Sequence, residues 1–210
     1  MKEKQRRKAR NRLADYRPYA KQLEFHAAGL IHRERLFCSA NQVGKTYSGA
    51  AEMAFHLTGR YPQGWPGRKF DKAVRAWAGS TGYQATRDGA QRLLVGEPKN
   101  EEMWGTGAIP GDAIINTTRA TGVPHGLDGV TVRHVSGEIS VLGFKSYDQG
   151  REKWQGETLD VCWLDEEPDM DIYIEALTRT NATGGMVYLT FTPLKGMSDV
   201  VEMFVRECGI

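Results

Sequence analysis

Short apolar runs separated by polar, glycine-rich segments set the pattern of this chain. Leu36-Phe37-Cys38 reads as a buried strand, and Tyr47–Leu57 behind it reads as a helix. Ala73–Gly79 is a second strand, and Ser80 or Thr81 is placed to cap a helix running to about Leu94. A strand at Ala113–Thr117 precedes a hairpin of Val130–Val135 and Glu138–Phe144 across Ser136-Gly137. The apolar stretch from Leu159 to Leu164 is a further strand, followed by a helix over Met170–Thr180. Met186–Phe191 is the last strand, with a helix over Asp199–Glu207 behind it. Gly59–Gly67 is a loop by its glycines and prolines, and Ser146–Glu157 reads as a polar loop. Upstream, Pro18 can open a helix that Gly29 closes. Strand alternating with helix predicts an α/β fold: a mainly parallel sheet with helices on both faces and one added β-hairpin.

One junction carries chemistry. Between the first strand and its helix lies Ser39-Ala40-Asn41-Gln42-Val43-Gly44-Lys45-Thr46. Strand, tight loop, Gly-Lys-Thr and helix form the layout of a phosphate-binding loop, and hence of a P-loop NTPase. Backbone N–H groups of such a loop and of the helix N-terminus converge on an anion. Lys45 then neutralises the β/γ-phosphates, and the Thr46 hydroxyl is placed to ligate Mg²⁺. The pattern is degenerate, because Ser39 occupies the position of the usual first glycine. In the preceding helix, Gln22 can accept from adenine N6 and donate to N7, with Tyr19 as a stacking partner.

A second junction complements the first. The strand ending at Leu164 runs into Asp165-Glu166-Glu167-Pro168, about 120 residues after Lys45. In a parallel sheet this delivers carboxylates to the edge where the phosphate loop opens. Asp165 is then the Mg²⁺ carboxylate, and Glu166 polarises the attacking water. The adjacent glutamate indicates ATPases with an additional catalytic glutamate, the ASCE class. Thr190 and Thr192, at the end of the last strand, can sense the γ-phosphate, and Thr192 is the assigned sensor.

Charge adds a feature that the apolar pattern does not show. Residues 1–17 hold eight Lys or Arg against Glu3 and Asp15, a net +6, so the remainder carries −4 of the overall +2. A basic arm on a mildly acidic body suits a polyanion near the N-terminus. Three cysteines fit neither a zinc site nor a disulfide framework, and Cys38 and Cys162 fall in expected core strands. No stretch approaches the ~20 apolar residues of a membrane span.

Together, Ser-Ala-Asn-Gln-Val-Gly-Lys-Thr, Trp163-Leu-Asp-Glu-Glu-Pro168 and Thr190-Phe-Thr-Pro-Leu-Lys-Gly196 resemble the ATPase domain of tailed-phage terminase large subunits. The upstream Tyr19-Ala-Lys-Gln22 and Phe25-His-Ala-Ala-Gly29 also resemble that family's adenine-side motif. The resemblance implies ATP and Mg²⁺ as cofactors, and hydrolysis that drives double-stranded DNA into a procapsid. It implies a portal protein, a terminase small subunit and a homo-oligomeric ring as partners, in the host cytoplasm at the portal, with the isolated domain monomeric. It divides the chain into an arm, residues 1–15, and an ATPase domain, residues 16–210, with the family's nuclease domain absent from this chain. Family members carry an arginine within the phosphate loop, or before the glycine that precedes the acidic strand. Here those places hold Asn41 and Gln155. Arg151 is the substitute arginine finger, with Arg119 and Arg133 behind it. Other readings are a helicase or related nucleic-acid-remodelling ATPase, and a nucleotide-binding scaffold without turnover.

Overall fold

The computed structural model describes residues 11–39, 44–194 and 196–208. In chain order the elements are α1 (Ala20–Ala28), β1 (Glu34–Cys38), α2 (Lys45–Thr58) and β2 (Arg75–Ser80). A helical segment α3 follows, built from Tyr83–Thr86, a π-helical turn Arg87–Gln91, and Arg92–Leu94. Then come β3 (Ile114–Arg119), β4 (Leu127–Arg133), β5 (Ile139–Ser146), β6 (Val161–Asp165), α4 (Met170–Asn181), β7 (Met186–Phe191) and α5 (Asp199–Cys208).

The seven strands form one sheet in the order β1-β7-β6-β2-β5-β4-β3. The pairs β1/β7, β7/β6, β6/β2 and β2/β5 are parallel, so four phosphate-edge strands point the same way as β5. β5/β4 and β4/β3 are antiparallel. The β4/β5 hairpin thus extends the parallel strands through β5. The α/β fold with a mainly parallel sheet is as the alternation of runs predicts.

Period-two alternation along the central strands feeds two cores. Val161 and Trp163 of β6 join Phe55, Met53 and Tyr188 on the α2 face. Cys162 and Leu164 join Tyr173, Trp154, Phe191 and Val200 on the α4 and α5 face. Each such side chain stabilises by roughly 1.5–3 kcal/mol on burial. Gly49 of α2 lets the phosphate-loop helix lie against β6: a Cβ there would fall 2.7 Å from the Trp163 ring.

Three local expectations change. Cys38 is exposed, because it is the last residue of an edge strand, whereas Cys162 is buried. Neither Ser80 nor Thr81 caps α3, whose N-cap is Gly82 without a side-chain hydrogen bond. The segment 146–157 is not a free polar loop. It holds 3₁₀ turns at Tyr147–Gln149 and Arg151–Trp154, and Trp154 is fully buried, donating its indole N–H to Ser146 O at 3.2 Å. Of the basic arm, residues 1–10 lie outside the described residues, while Leu13 packs into the core. Among the described residues no helix is long and apolar enough to cross a membrane.

Candidate functional site

The C-terminal ends of β1, β6 and β7 are neighbours, so the topology alone gathers Ser39, Asp165, Glu166 and Thr192 at one edge. Ala40, Asn41, Gln42 and Val43 of the expected phosphate loop lie outside the described residues. On either side the geometry is explicit. Gly44 is the N-cap of α2 with φ 75°, a left-handed conformation that glycine adopts without steric cost. A Cβ at Gly44 would also fall 2.9 Å from Gln22 Nε2. Lys45 is buried and spans the edge, donating to Ser39 O at 2.8 Å and to Thr192 Oγ1 at 2.9 Å. Thr192 in turn donates to Ser39 O at 2.9 Å. The ammonium group thus ties the end of β1 to the end of β7.

Asp165 is the other half of the site. Thr190 Oγ1 donates to its Oδ1 at 2.8 Å, and Trp163 Nε1 donates to the same Thr190 oxygen at 2.7 Å. The indole leaves the Thr190 hydroxyl proton free to point at the carboxylate. Burial pushes the Asp165 carboxyl up to about 7; Glu166 adds to the rise, while hydrogen bonds from Thr190 and Thr46 and the Lys45 charge oppose it. The anion is therefore under-compensated by the side chains around it. On the far side, Gly89 sits in the π-helical turn of α3, and a Cβ there would come 3.4 Å from Asp165 Oδ2. A side chain longer than methyl would press on that oxygen.

Glu166 leaves the strand abruptly. Its φ is 69°, one of two positive values at non-glycine residues among those described, and its side chain is exposed. Such a conformation costs of order 1–3 kcal/mol and persists where surroundings enforce it. Here the Glu166 N–H donates to Thr190 O at 3.1 Å. The Tyr147 hydroxyl lies 3.0 Å from both the Asp165 and Glu166 carbonyl oxygens. Burial holds the Tyr147 phenol well above its usual range, so it remains a donor to them.

The set fits a phosphate-bound divalent cation. A hydroxyl on Thr46 and an under-compensated carboxylate on Asp165 face one another beside Lys45. Among the described residues no group of three or more His, Cys, Asp or Glu converges on one point. A Mg²⁺ ion there would draw its other ligands from water and phosphate oxygens, which is its usual habit.

The remaining expected residues lie elsewhere or are otherwise engaged. Gln22 is buried, with Nε2 donating to Gly44 O at 3.1 Å and Oε1 accepting from Tyr19 N–H at 2.9 Å. Tyr19 itself is exposed. Arg151 donates through Nε to Glu175 Oε2 of α4 at 2.9 Å, and Arg179 pairs with the same carboxylate at 3.0 Å. Arg119 pairs with Glu101 and lies over the Trp104 ring, and Arg133 is exposed on β4. Sequence reasoning did not single out Trp163, Tyr147 or Gly89 for the site. Trp163 lies inside the acidic motif, but its bond to Thr190 depends on how β6 and β7 pair, and Tyr147 and Gly89 reach the site from the turn after β5 and from α3, where no local motif marks them.

Comparison with known proteins gives one family. Residues 36–209 match the family described as terminase large subunit, T4likevirus-type, N-terminal. The chain is 42% identical over 212 residues to the terminase large subunit of Salmonella phage P22, covering 93% of this chain and 42% of that protein. It thus spans less than half the length of that relative. A second terminase large subunit, from Enterobacteria phage LP7, is 46% identical over 52 residues, 25% of this chain and 11% of that one. Among solved structures, the large terminase of bacteriophage HK97 superposes with a TM-score of 0.61 at 13% identity, over 92% of this chain and 37% of that one. A large terminase of a thermophilic bacteriophage, solved in complex with ADP, gives a TM-score of 0.53 at 11% identity, over 89% and 49%. The structural matches establish a fold shared with large terminases, and the sequence matches establish that the chain belongs to the terminase large subunit family, in its N-terminal part.

Proposed function

We propose that this chain is the Mg²⁺-dependent ATPase of a terminase large subunit, whose hydrolysis drives double-stranded DNA into a procapsid. The observation that carries the reading is the single edge on which Lys45, Thr46, Asp165, Glu166 and Thr192 meet, with Lys45 bridging β1 and β7. With nucleotide bound, phosphate oxygens would take the place of Ser39 O and Thr192 as acceptors for Lys45, and Thr192, no longer engaged by the ammonium group, would report the γ-phosphate. Thr46 and Asp165 would hold Mg²⁺, which would supply positive charge to offset the phosphates. Glu166, on its left-handed turn, accepts a proton from the attacking water. Gln22 acts through the backbone, fixing the Gly44 carbonyl and with it the start of α2.

The coupling partners follow from the same reading: a portal protein, the small subunit, and further copies in a ring at the portal in the host cytoplasm. Arg151 is the finger offered to a neighbour, supported by its exposed side chain and by Arg179, which keeps Glu175 paired when Arg151 departs.

The test is steady-state hydrolysis by the purified chain in Mg²⁺ and in EDTA, with nucleotide binding measured in parallel. Glu166→Gln should lower turnover by ~10²–10⁴-fold and leave ATP binding intact, because it removes the base and not the phosphate cradle. Lys45→Ala should lose binding itself. Equal binding loss in both variants would make Glu166 structural, and wild-type protein that binds ATP without turnover would leave a nucleotide-binding scaffold.

A further inference from the structure

The carboxyl ends of β6, β2 and β5 lie side by side and border a cavity of about 310 Å³. Thr81 after β2, Tyr147 and Asp148 after β5, and Glu167 and Asp169 after β6 line it. Three of these residues are acids and none is a base. Open α/β sheets bind ligands outside the carboxyl ends of their strands.

Glu167 is 8% exposed, yet its Oε2 has no hydrogen-bond partner among the described residues. A buried carboxylate oxygen is normally paired, because losing water without a replacement costs free energy. Its neighbours on the cavity wall do not supply the pair. Tyr147 commits its hydroxyl to the Asp165 and Glu166 carbonyls. Asp148 is another acid, held on one side by Ser146 Oγ, which donates to its Oδ1 at 2.5 Å. A metal ion does not suit the wall, since among the described residues no three acids converge to hold one. The cavity is also many times the size that one ion or water needs. Acids spread around a wall suit an extended cationic side chain with several donors.

The chain concentrates such groups in one segment. Residues 2–10 hold Lys2, Lys4, Arg6, Arg7, Lys8 and Arg10 against Glu3. The foot of this arm lies across the sheet from its own cavity. Leu13 and Tyr16 pack into the core on the α2 face, Tyr16 against Tyr47 and Phe55. Tyr147 packs into the core on the α4 face, and Asp169 is the N-cap of α4. We infer that the cavity takes a guanidinium or ammonium group from the basic arm of a second copy of this chain. Nine residues in extended form reach about 30 Å, enough to cross to a neighbour. A contact of arm with cavity is head-to-tail, the kind that closes a ring where the rotation allows. It uses no nucleotide and goes beyond the ATPase reading.

The experiment titrates a labelled peptide of residues 1–10 into the full chain, followed by fluorescence anisotropy at low salt without nucleotide. Wild type should bind it, and about 0.5 M salt should weaken the binding by screening. Glu167→Gln and Asp148→Asn keep the shape of the wall and should each weaken binding about tenfold or more, the size of a lost charge-assisted hydrogen bond. Absence of binding overturns the inference. Equal affinity in wild type and both variants overturns it too, since the arm then adheres to acidic surface at large. Sedimentation at high protein concentration and low salt tests the second copy as the source. Wild type should self-associate, while Glu167→Gln and a chain with its six arm cations replaced by Gln should each stay monomeric. An equimolar mixture of those two variants should pair, because one supplies the arm and the other the cavity. A wild type that binds the peptide but stays monomeric, or a mixture that does not pair, overturns the assignment to a second copy. No arm of the experiment uses ATP, so each of these failures leaves the ATPase reading standing.

Discussion

Two buried carboxylates in this molecule have opposite surroundings. Glu52, in the middle of α2, is fully buried and saturated. Arg35 reaches it from β1 at 2.7 Å, His26 Nδ1 from α1 at 2.7 Å, and His56 Nε2 from the next turn at 3.3 Å. Burial alone would raise its carboxyl, but Arg35 and the hydrogen bonds from His26 and His56 hold it well below its usual range. Asp165 is almost as buried, receives hydroxyls where Glu52 receives a guanidinium, and is pushed up to about 7. One acid is finished within the fold and the other is left wanting positive charge. The contrast separates a structural ion cluster from a site, since unresolved electrostatic need in a cleft marks functional groups.

The largest expected effect breaks the finished side. Glu52→Ala strands Arg35 among Phe25, Tyr188 and Met186, and unlocks α2 from α1 and β1. Removing one partner of a buried pair costs about 3–5 kcal/mol. Urea denaturation should show a loss of that size, while a loss below about 1 kcal/mol would mean that the cluster is not a structural tie.

Asp165→Asn should do the reverse. Relieving a buried, under-compensated charge at neutral pH should raise stability by on the order of 1–2 kcal/mol while abolishing hydrolysis. The pH dependence sharpens the sign. Asp165, with its folded value raised, stabilises fully below its unfolded value near 4, and that contribution is lost as pH rises toward about 7. Glu52, with its folded value depressed, stabilises above the unfolded value near 4.5 and loses that contribution as pH falls through its folded value. Denaturation midpoints in EDTA should therefore decline from pH 4 to 7 relative to the Asn variant. Parallel curves for wild type and variant would show that Asp165 is not under-compensated.

The same contrast explains what could be read from the sequence. The placement of Lys45, Thr46, Asp165 and Glu166 at one sheet edge was legible because each lies at the start of a helix or the end of a strand in a contiguous motif, where local order fixes position. The seven-stranded sheet was legible in kind, because its apolar runs are short and alternate with helices. The Glu52 cluster was not, since its members come from α1, β1 and α2 and look locally like polar residues on ordinary faces. The division of labour between two neighbouring threonines was also hidden. Alternation along β7 sends Thr190 to Asp165, while Thr192, just past the strand, meets Lys45. Gln22 was legible as a residue of the site's edge, but not its attachment to Gly44, which depends on how α1 docks.

Glu175 falls between the two cases and gives the smallest expected effect on stability. It is buried and holds two arginines, Arg179 from its own helix and Arg151 from the 3₁₀ turn after β5. Arg151 keeps 56% of its side chain exposed, against 23% for Arg179. An exposed ion pair contributes about 0–1 kcal/mol, and Arg179 leaves the carboxylate paired when Arg151 is absent. Arg151→Ala should thus lower stability by no more than about 0.5 kcal/mol, whereas Arg179→Ala should lower it more, since it removes the better-buried partner. That low cost is what a finger needs if it is to leave its own subunit for a neighbour's phosphates. In the isolated chain Arg151→Ala should leave basal hydrolysis unchanged. On assembly with portal and DNA it should remove the stimulated rate, where such an arginine is worth ~10³–10⁵-fold in other nucleotide hydrolases. A drop in basal rate would place Arg151 in its own subunit's site, and an unchanged stimulated rate would pass the role to Arg119 or Arg133. A stability loss near 3 kcal/mol would make Arg151 part of the finished side of the molecule, tied to Glu175 as firmly as Arg35 is to Glu52.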